Sequence, residues 1–199
     1  TVPALQGLAR DTAIKTITES RFRYDEGTDL KEFSSQPTDT VIRATDESGQ
    51  QLPTQMAEQS PIRLVISLGP VPDVLGKTLD EATKTLEGAG LKVQSSGEEF
   101  SDTVPAGHII SASNAANPMK PGDTVNVVVS KGQDLVQVPN VVGKTTKDAV
   151  KALEDAGFEV QHNVPASFIE KTKVTSQNPG ANTKQPRGSK ITLQSSLEF

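Results

Sequence analysis

Apolar residues recur at helical spacing in Leu79, Ala82, Leu86 and Ala89, and the pattern changes to alternation directly after Gly90. The first arrangement predicts a helix with one buried face, and the second predicts strands. The same change runs through Ala149, Leu153 and Ala156-Gly157-Phe158, and a fainter copy runs through Ala13, Ile17 and Phe22. Each copy is preceded by a Val-Pro pair, at Val2-Pro3, Val71-Pro72 and Val138-Pro139, with the prolines 69 and 67 residues apart. One unit is therefore used three times, over residues 1–69, 70–132 and 133–199.

The residue types explain how such a unit folds. Proline fixes its own φ and biases the residue before it toward extended backbone, so Val-Pro predicts a lead-in strand. Gly76 and Gly143 allow a turn that a side chain would hinder. Thr78-Leu79-Asp80-Glu81 predicts a capping box, and Gly90 and Gly157 stand where a helix ends in the left-handed region. The first copy departs from this, with Ala9 at the cap and Arg21 at the helix end. Those changes typically cost ~0.5–2 and roughly 1–2 kcal/mol, so either this helix ends differently or the first unit is the least stable.

Three strands are expected after each helix. They start at Phe22-Arg23-Tyr24, Val41–Ala44 and Ile62–Ser67 in the first unit, and at Leu91–Val93, His108–Ser111 and Thr124–Val129 in the second. In the third they are Phe158–Val160, Lys173–Ser176 and Ile191–Gln194, all β-branched runs bounded by turn residues. The stretch 47–60 is longer than its counterparts and reads as an exposed loop. A single residue, Pro70, links the first two units, whereas Gln133–Gln137 links the last two, so any bend in an extended linear array is expected at 133–137. Leu197-Glu198-Phe199 departs from the pattern and reads as a remnant of cloning.

Composition narrows the function. The chain has 199 residues, 34% hydrophobic and 23% charged, which makes three small cores that need support from their neighbours. It has no run long enough to span a bilayer, and Thr1 starts on the repeat without a signal peptide, so a fragment of a larger protein is expected. Zero cysteines remove disulfides and thiolate chemistry. A net charge of −5 and seven aromatics without Trp argue against nucleic acid as a partner. His108 and His162 occupy non-equivalent places with no partner spacing for catalysis or metal, and no cofactor is expected. Asp80-Glu81 fits helix capping and Glu98-Glu99 a solvated turn. Gly76-Lys77-Thr78 lacks the upstream glycine of a phosphate-binding loop.

Taken together, Val-Pro-Asp/Asn-Val-x-Gly-Lys-Thr, the helix ending Ala-Gly-Leu/Phe, the Asn-Pro loops at 117–123 and 178–182, and the closing Val127-Val128-Val129-Ser130-Lys131-Gly132 resemble the PASTA repeat of penicillin-binding proteins and serine/threonine kinases. The resemblance covers the whole chain as three tandem units and is weakest in the first. It implies an α+β fold, one helix packed on a three-stranded sheet per unit. It also implies a non-catalytic, extracellular, wall-facing position in a single-pass protein of Gram-positive or actinobacterial cells. The implied partners are peptidoglycan, a muropeptide or the lipid-linked wall precursor. Three copies resemble the sensor end of a transmembrane kinase, monomeric as a fragment and dimerising in its parent, more than the tail of a penicillin-binding protein. A spacer or localisation arm that binds many weak sites is the alternative.

Charge is uneven, at −3, −3 and +1 for the three units. Lys171, Lys173, Lys184, Arg187 and Lys190 fall in a stretch without any acid, and convergence on one sheet edge would suit the carboxylates and pyrophosphate of wall precursors.

Overall fold

The helices form where the apolar stripes put them. The structure, a computed structural model, describes residues 1–197 and places α1 at Arg10–Glu19, α2 at Leu79–Gly88 and α3 at Thr146–Asp155. Each buries equivalent stripe positions: Ala13 and Ile17, Ala82 and Leu86, Ala149 and Leu153. Thr78 Oγ1 accepts from the Glu81 amide at 3.3 Å and Glu81 Oε2 accepts from the Thr78 amide at 3.1 Å, the reciprocal cap expected of that sequence. Ala9 caps α1 with no side-chain bond.

All three helices end alike. The amides of Phe22, Leu91 and Phe158 donate to the carbonyls of Ile17, Leu86 and Leu153 at 3.0, 2.9 and 3.0 Å. Arg21 adopts φ 60° where Gly90 and Gly157 adopt 81° and 89°. The first helix therefore keeps the common ending, and its arginine bears a strain of roughly 1–2 kcal/mol. No helix among the described residues is long and apolar enough to cross a membrane.

The chain divides into two compact units, Thr1–Glu99 with Gly107–Ser130, and Phe100–Ala106 with Lys131 onward. In the first unit, β1 (Arg23–Tyr24), β2 (Leu30–Glu32) and β3 (Val41–Thr45) surround β4 (Pro61–Ser67). Both β1 and β2 run parallel to β4 and β3 runs antiparallel. The sheet thus has four strands where three are expected, because residues 25–29 interrupt one edge. Leu5, Ile17, Ile62, Leu64 and Ile66 form its core. The long stretch 47–60 returns to that core, with Leu52 and Met56 packed on it and the Val2 amide donating to the Thr54 carbonyl at 3.1 Å.

The same unit holds a second sheet, β5 (Lys92–Glu99), β6 (Ile109–Asn114) and β7 (Thr124–Ser130), in the order β5-β7-β6. Glu98-Glu99 belong to β5 and not to the turn expected there, since they pair with Val129 and Ser130. Leu86, Leu91, Ile109, Val125 and Val127 fill the core, and Phe33 from the first repeat joins them. The Phe33 amide also donates to the Met119 carbonyl at 2.8 Å. The small core of the second repeat is thereby completed by an aromatic residue of the first. Val2-Pro3, Val71-Pro72 and Val138-Pro139 are not in strands, which corrects the lead-in expected from proline.

In the second unit the segment expected as a linker forms a strand, β8 (Leu135–Gln137), antiparallel to β11 (Lys184–Pro186). The main sheet has the order β10-β12-β9, with β9 at Glu159–His162, β10 at Thr172–Asn178 and β12 at Lys190–Leu197. Phe158, Ile191 and Leu193 pack with Ala149 and Leu153 of α3. Leu197 continues β12 opposite Thr172, so it belongs to the pattern, while Glu198 and Phe199 lie outside the described residues.

Candidate ligand-binding cleft of the third repeat

The alternation of β12 decides what the third repeat presents. Ile191, Leu193 and Ser195 are buried, and Lys190, Thr192, Gln194 and Ser196 face the other way. Their cross-strand partners on that second face are Glu159 for Lys190, Gln161 and Asn178 for Thr192, Ser176 for Gln194, and Lys173 for Ser196. It is a face of hydroxyls and carboxamides with Lys173 at one end and Lys190 opposite Glu159 at the other.

The five cations do not converge. Lys173 pairs with Ser196, six positions along β12 from Lys190, a separation of roughly 20 Å. Lys171 and Lys173 therefore lie at one end of the sheet, and Lys184, Arg187 and Lys190 straddle the turn into β12 at the other. Arg187 is engaged by the fold: its Nε donates to Asp134 Oδ2 at 2.6 Å and its amide to the Asp134 carbonyl at 2.8 Å. It also covers Gly157, where a β-carbon would come within 2.7 Å of Arg187 Nη1.

Beside the Lys171 and Lys173 end lies a cleft of about 320 Å³. A 3-10 turn at Ala166–Phe168 makes one wall, with Val164, Pro165 and Phe168, and Leu197 makes the other. Phe168 is 44% exposed. Asn163 holds the strand end in place by accepting from the Ser195 amide at 2.9 Å and donating to its carbonyl at 3.3 Å. Ser195 Oγ is buried at the cleft with no hydrogen-bond partner, an available donor and acceptor. Thr172, between the two lysines, is held by Thr146 Oγ1 at 2.8 Å.

Lys147 Nζ donates to Glu170 Oε1 at 2.6 Å, a bond that holds Glu170 below the usual carboxylate range and raises Lys147. The cleft thus combines apolar walls for a sugar face or alkyl group with a buried hydroxyl, beside the strand end that carries Lys171 and Lys173. Sequence reasoning found the lysines but missed Phe168 and Asn163. The available signal was length: Val104-Pro105-Ala106-Gly107 leads almost straight to β6, whereas Val164-Pro165-Ala166 is followed by five residues before β10 that include an aromatic. Among the described residues, no group of three or more His, Asp or Glu side chains comes together to hold a metal.

Comparison with known proteins agrees with this architecture. The family model described as PASTA domain matches residues 69–131 and 136–196. A "probable serine/threonine-protein kinase" of Clostridium perfringens is 31% identical over 175 residues, 77% of this chain and 26% of that protein. One of Corynebacterium efficiens is 35% identical over 160 residues, 77% of this chain and 24% of that protein. The chain thus spans about a quarter of the length of these relatives. The crystal structure of the three-PASTA-domain of a Ser/Thr kinase from Staphylococcus aureus shares the fold, with a TM-score of 0.50, 23% identity and 98% of each chain covered.

Proposed function

We propose, on the premise that this chain belongs to the PASTA domain family, that it is the extracellular wall-binding region of a bacterial transmembrane serine/threonine kinase. As a member of that family it is a binding module and not a catalyst. Its ligand in this reading is a peptidoglycan fragment, a muropeptide or the lipid-linked precursor, and binding places or activates the kinase. The three repeats divide at 1–69, 70–132 and 133–199, and the third makes the principal contacts.

The cleft between Phe168 and Leu197, beside the strand end that carries Lys171 and Lys173, is the observation that carries the reading. A sugar or alanyl group would lie on the apolar walls, with stem-peptide carboxylates on the two lysines. Lys184 and Lys190, with Arg187 held against Asp134, form a second cationic group for another part of the same wall strand. Titration of a soluble muropeptide into the isotope-labelled chain tests this. Amide shifts are expected at 163–173 and 195–197, lost in Lys171→Ala/Lys173→Ala and kept in Lys184→Ala/Lys190→Ala. Identical shifts in wild type and the first double variant would remove the assignment.

A spacer or localisation arm is the second reading, favoured by the repetition of the polar sheet face. In the second repeat Thr124 and Asn126 of β7 stand with Gln94, Ser111 and Ser113 where the third has Lys190, Thr192 and their partners. Weak, equal shifts on both faces with none at the cleft would support it.

A further inference from the structure

The first repeat contains a polar pocket beside the start of α1. It arises where β5 of the second repeat runs continuously past a one-residue bulge, while the equivalent edge of the first repeat is broken into β1 and β2 by residues 25–29. That loop turns at Gly27, with φ 81°, and is closed by Thr28 Oγ1 donating to the Asp25 carbonyl at 2.7 Å. It delivers Asp29 to the start of α1.

Asp29 is only half satisfied there. Its Oδ2 accepts from Arg10 Nε at 2.7 Å and from the Tyr24 hydroxyl at 2.9 Å, and Arg10 Nη2 donates to that hydroxyl at 2.8 Å. Burial, then the Asp29 carboxylate, pushes the Tyr24 phenol up, so the phenol keeps its proton and remains a donor. The Asp29 side chain is 7% exposed, and Oδ1 is buried without a hydrogen-bond partner. A buried carboxylate oxygen without a donor is an arrangement proteins rarely keep without a reason. Asp29 lines a space of about 370 Å³ together with Arg10, Gly27, Lys31, Asp39 and Ile66.

The lining selects the kind of ligand. Arg10 is spent on Asp29 and Tyr24, which leaves Asp29 Oδ1 and the Asp39 carboxylate as acceptors and Lys31 as the cation. A hard divalent ion takes six or more oxygens and would have to draw most of them from water here. An ammonium group is different: three N–H donors suit two carboxylates and leave no proton unused. We propose that this pocket binds the zwitterionic head of an amino acid or peptide end, with its ammonium between Asp29 and Asp39 and its carboxylate on Lys31. The pocket lies within the first compact unit and its ligand does not depend on the third-repeat cleft.

The test is an NMR titration of the full chain with alanine, methylammonium and acetate as separate probes. Alanine is expected to shift the amides of Arg10, Gly27–Lys31, Asp39 and Ile66, methylammonium to shift a subset about tenfold more weakly, and acetate to shift none. Lys31→Ala, an exposed change outside the core, should reduce alanine to the level of methylammonium, and Asp39→Asn should weaken both. Asp29→Asn should abolish binding. Because it also alters the Arg10 and Tyr24 bonds, Lys31→Ala and Asp39→Asn carry the decision if that variant unfolds. Absence of shifts with alanine, or equal shifts in wild type and both of these variants, overturns the proposal.

Discussion

Arg43 reaches diagonally over Val65 to Glu32, donating from Nη1 and Nη2 to the two carboxylate oxygens at 2.8 and 2.7 Å. The two residues sit on strands that flank β4 on opposite sides, with Arg43 and Leu30 both in register with Val65. Val65 points away from α1, yet it is fully buried, because this ion pair roofs it. Glu32 has a side chain 2% exposed, and Lys120 Nζ of the second repeat stands 4.0 Å from its Oε1.

Removing one partner of such a pair leaves a buried charge uncompensated. Arg43→Ala is expected to cost about 3 kcal/mol, most of it desolvated Glu32, whereas Glu32→Leu/Arg43→Leu should recover much of the loss. Urea denaturation followed by amide exchange at Val65 and Ile66 measures both. A double variant as unstable as Arg43→Ala would mean that the roof acts through shape and not through charge.

Arg21 offers the reverse experiment. It holds a left-handed conformation that its two counterparts give to glycine, and its ion pair with Glu58 is exposed, at 3.3 Å. An exposed pair contributes little, so Arg21→Gly should stabilise the first repeat by about 1 kcal/mol after the added chain entropy of glycine is subtracted. Slower exchange of the Phe22 amide would register it.

What could be read from the sequence depended on reach. The Thr78–Glu81 cap and the endings at Gly90 and Gly157 are decided within one helical turn, so residue types alone predict them. The strain at Arg21 follows by counting offsets. Glu32 was invisible because Leu30-Lys31-Glu32 has the composition of a surface loop, and only pairing with β4 more than thirty residues later makes it a strand. The five cations misled for a related reason. Lys173 and Lys190 are near in sequence, but two antiparallel strands that pair along their length carry them to opposite ends. Asp29 escaped notice because a carboxylate in an inserted loop ordinarily faces solvent.

The α2 cap predicts a pH effect of definite sign. The Thr78 amide, then the Thr78 hydroxyl, hold Glu81 below the usual carboxylate range. A folded value below the unfolded one of about 4.3 adds stability that is complete above that pH and is lost as pH falls through the folded value. Thr78→Ala should cost about 1 kcal/mol at neutral pH and move the Glu81 titration, followed by its side-chain carbon shift, back toward the ordinary range. A Glu81 titration unchanged by Thr78→Ala would show that the depression has another source.

Phe168 separates a binding role from a packing role. An aromatic residue kept for the core would be covered, yet this ring stands on the rim of the cleft with Leu197 exposed opposite it. Removing it uncovers little additional apolar surface, so Phe168→Ala should change stability by no more than about 1 kcal/mol. If the cleft seats a wall fragment, the same change should weaken muropeptide binding by about 1–2 kcal/mol, the size lost when an aromatic anchor is cut back. Calorimetric titration beside thermal denaturation reads the two quantities on one sample. A large loss of stability would make Phe168 a folding residue, and unaltered affinity would move the contact surface away from the cleft to the polar face of β12.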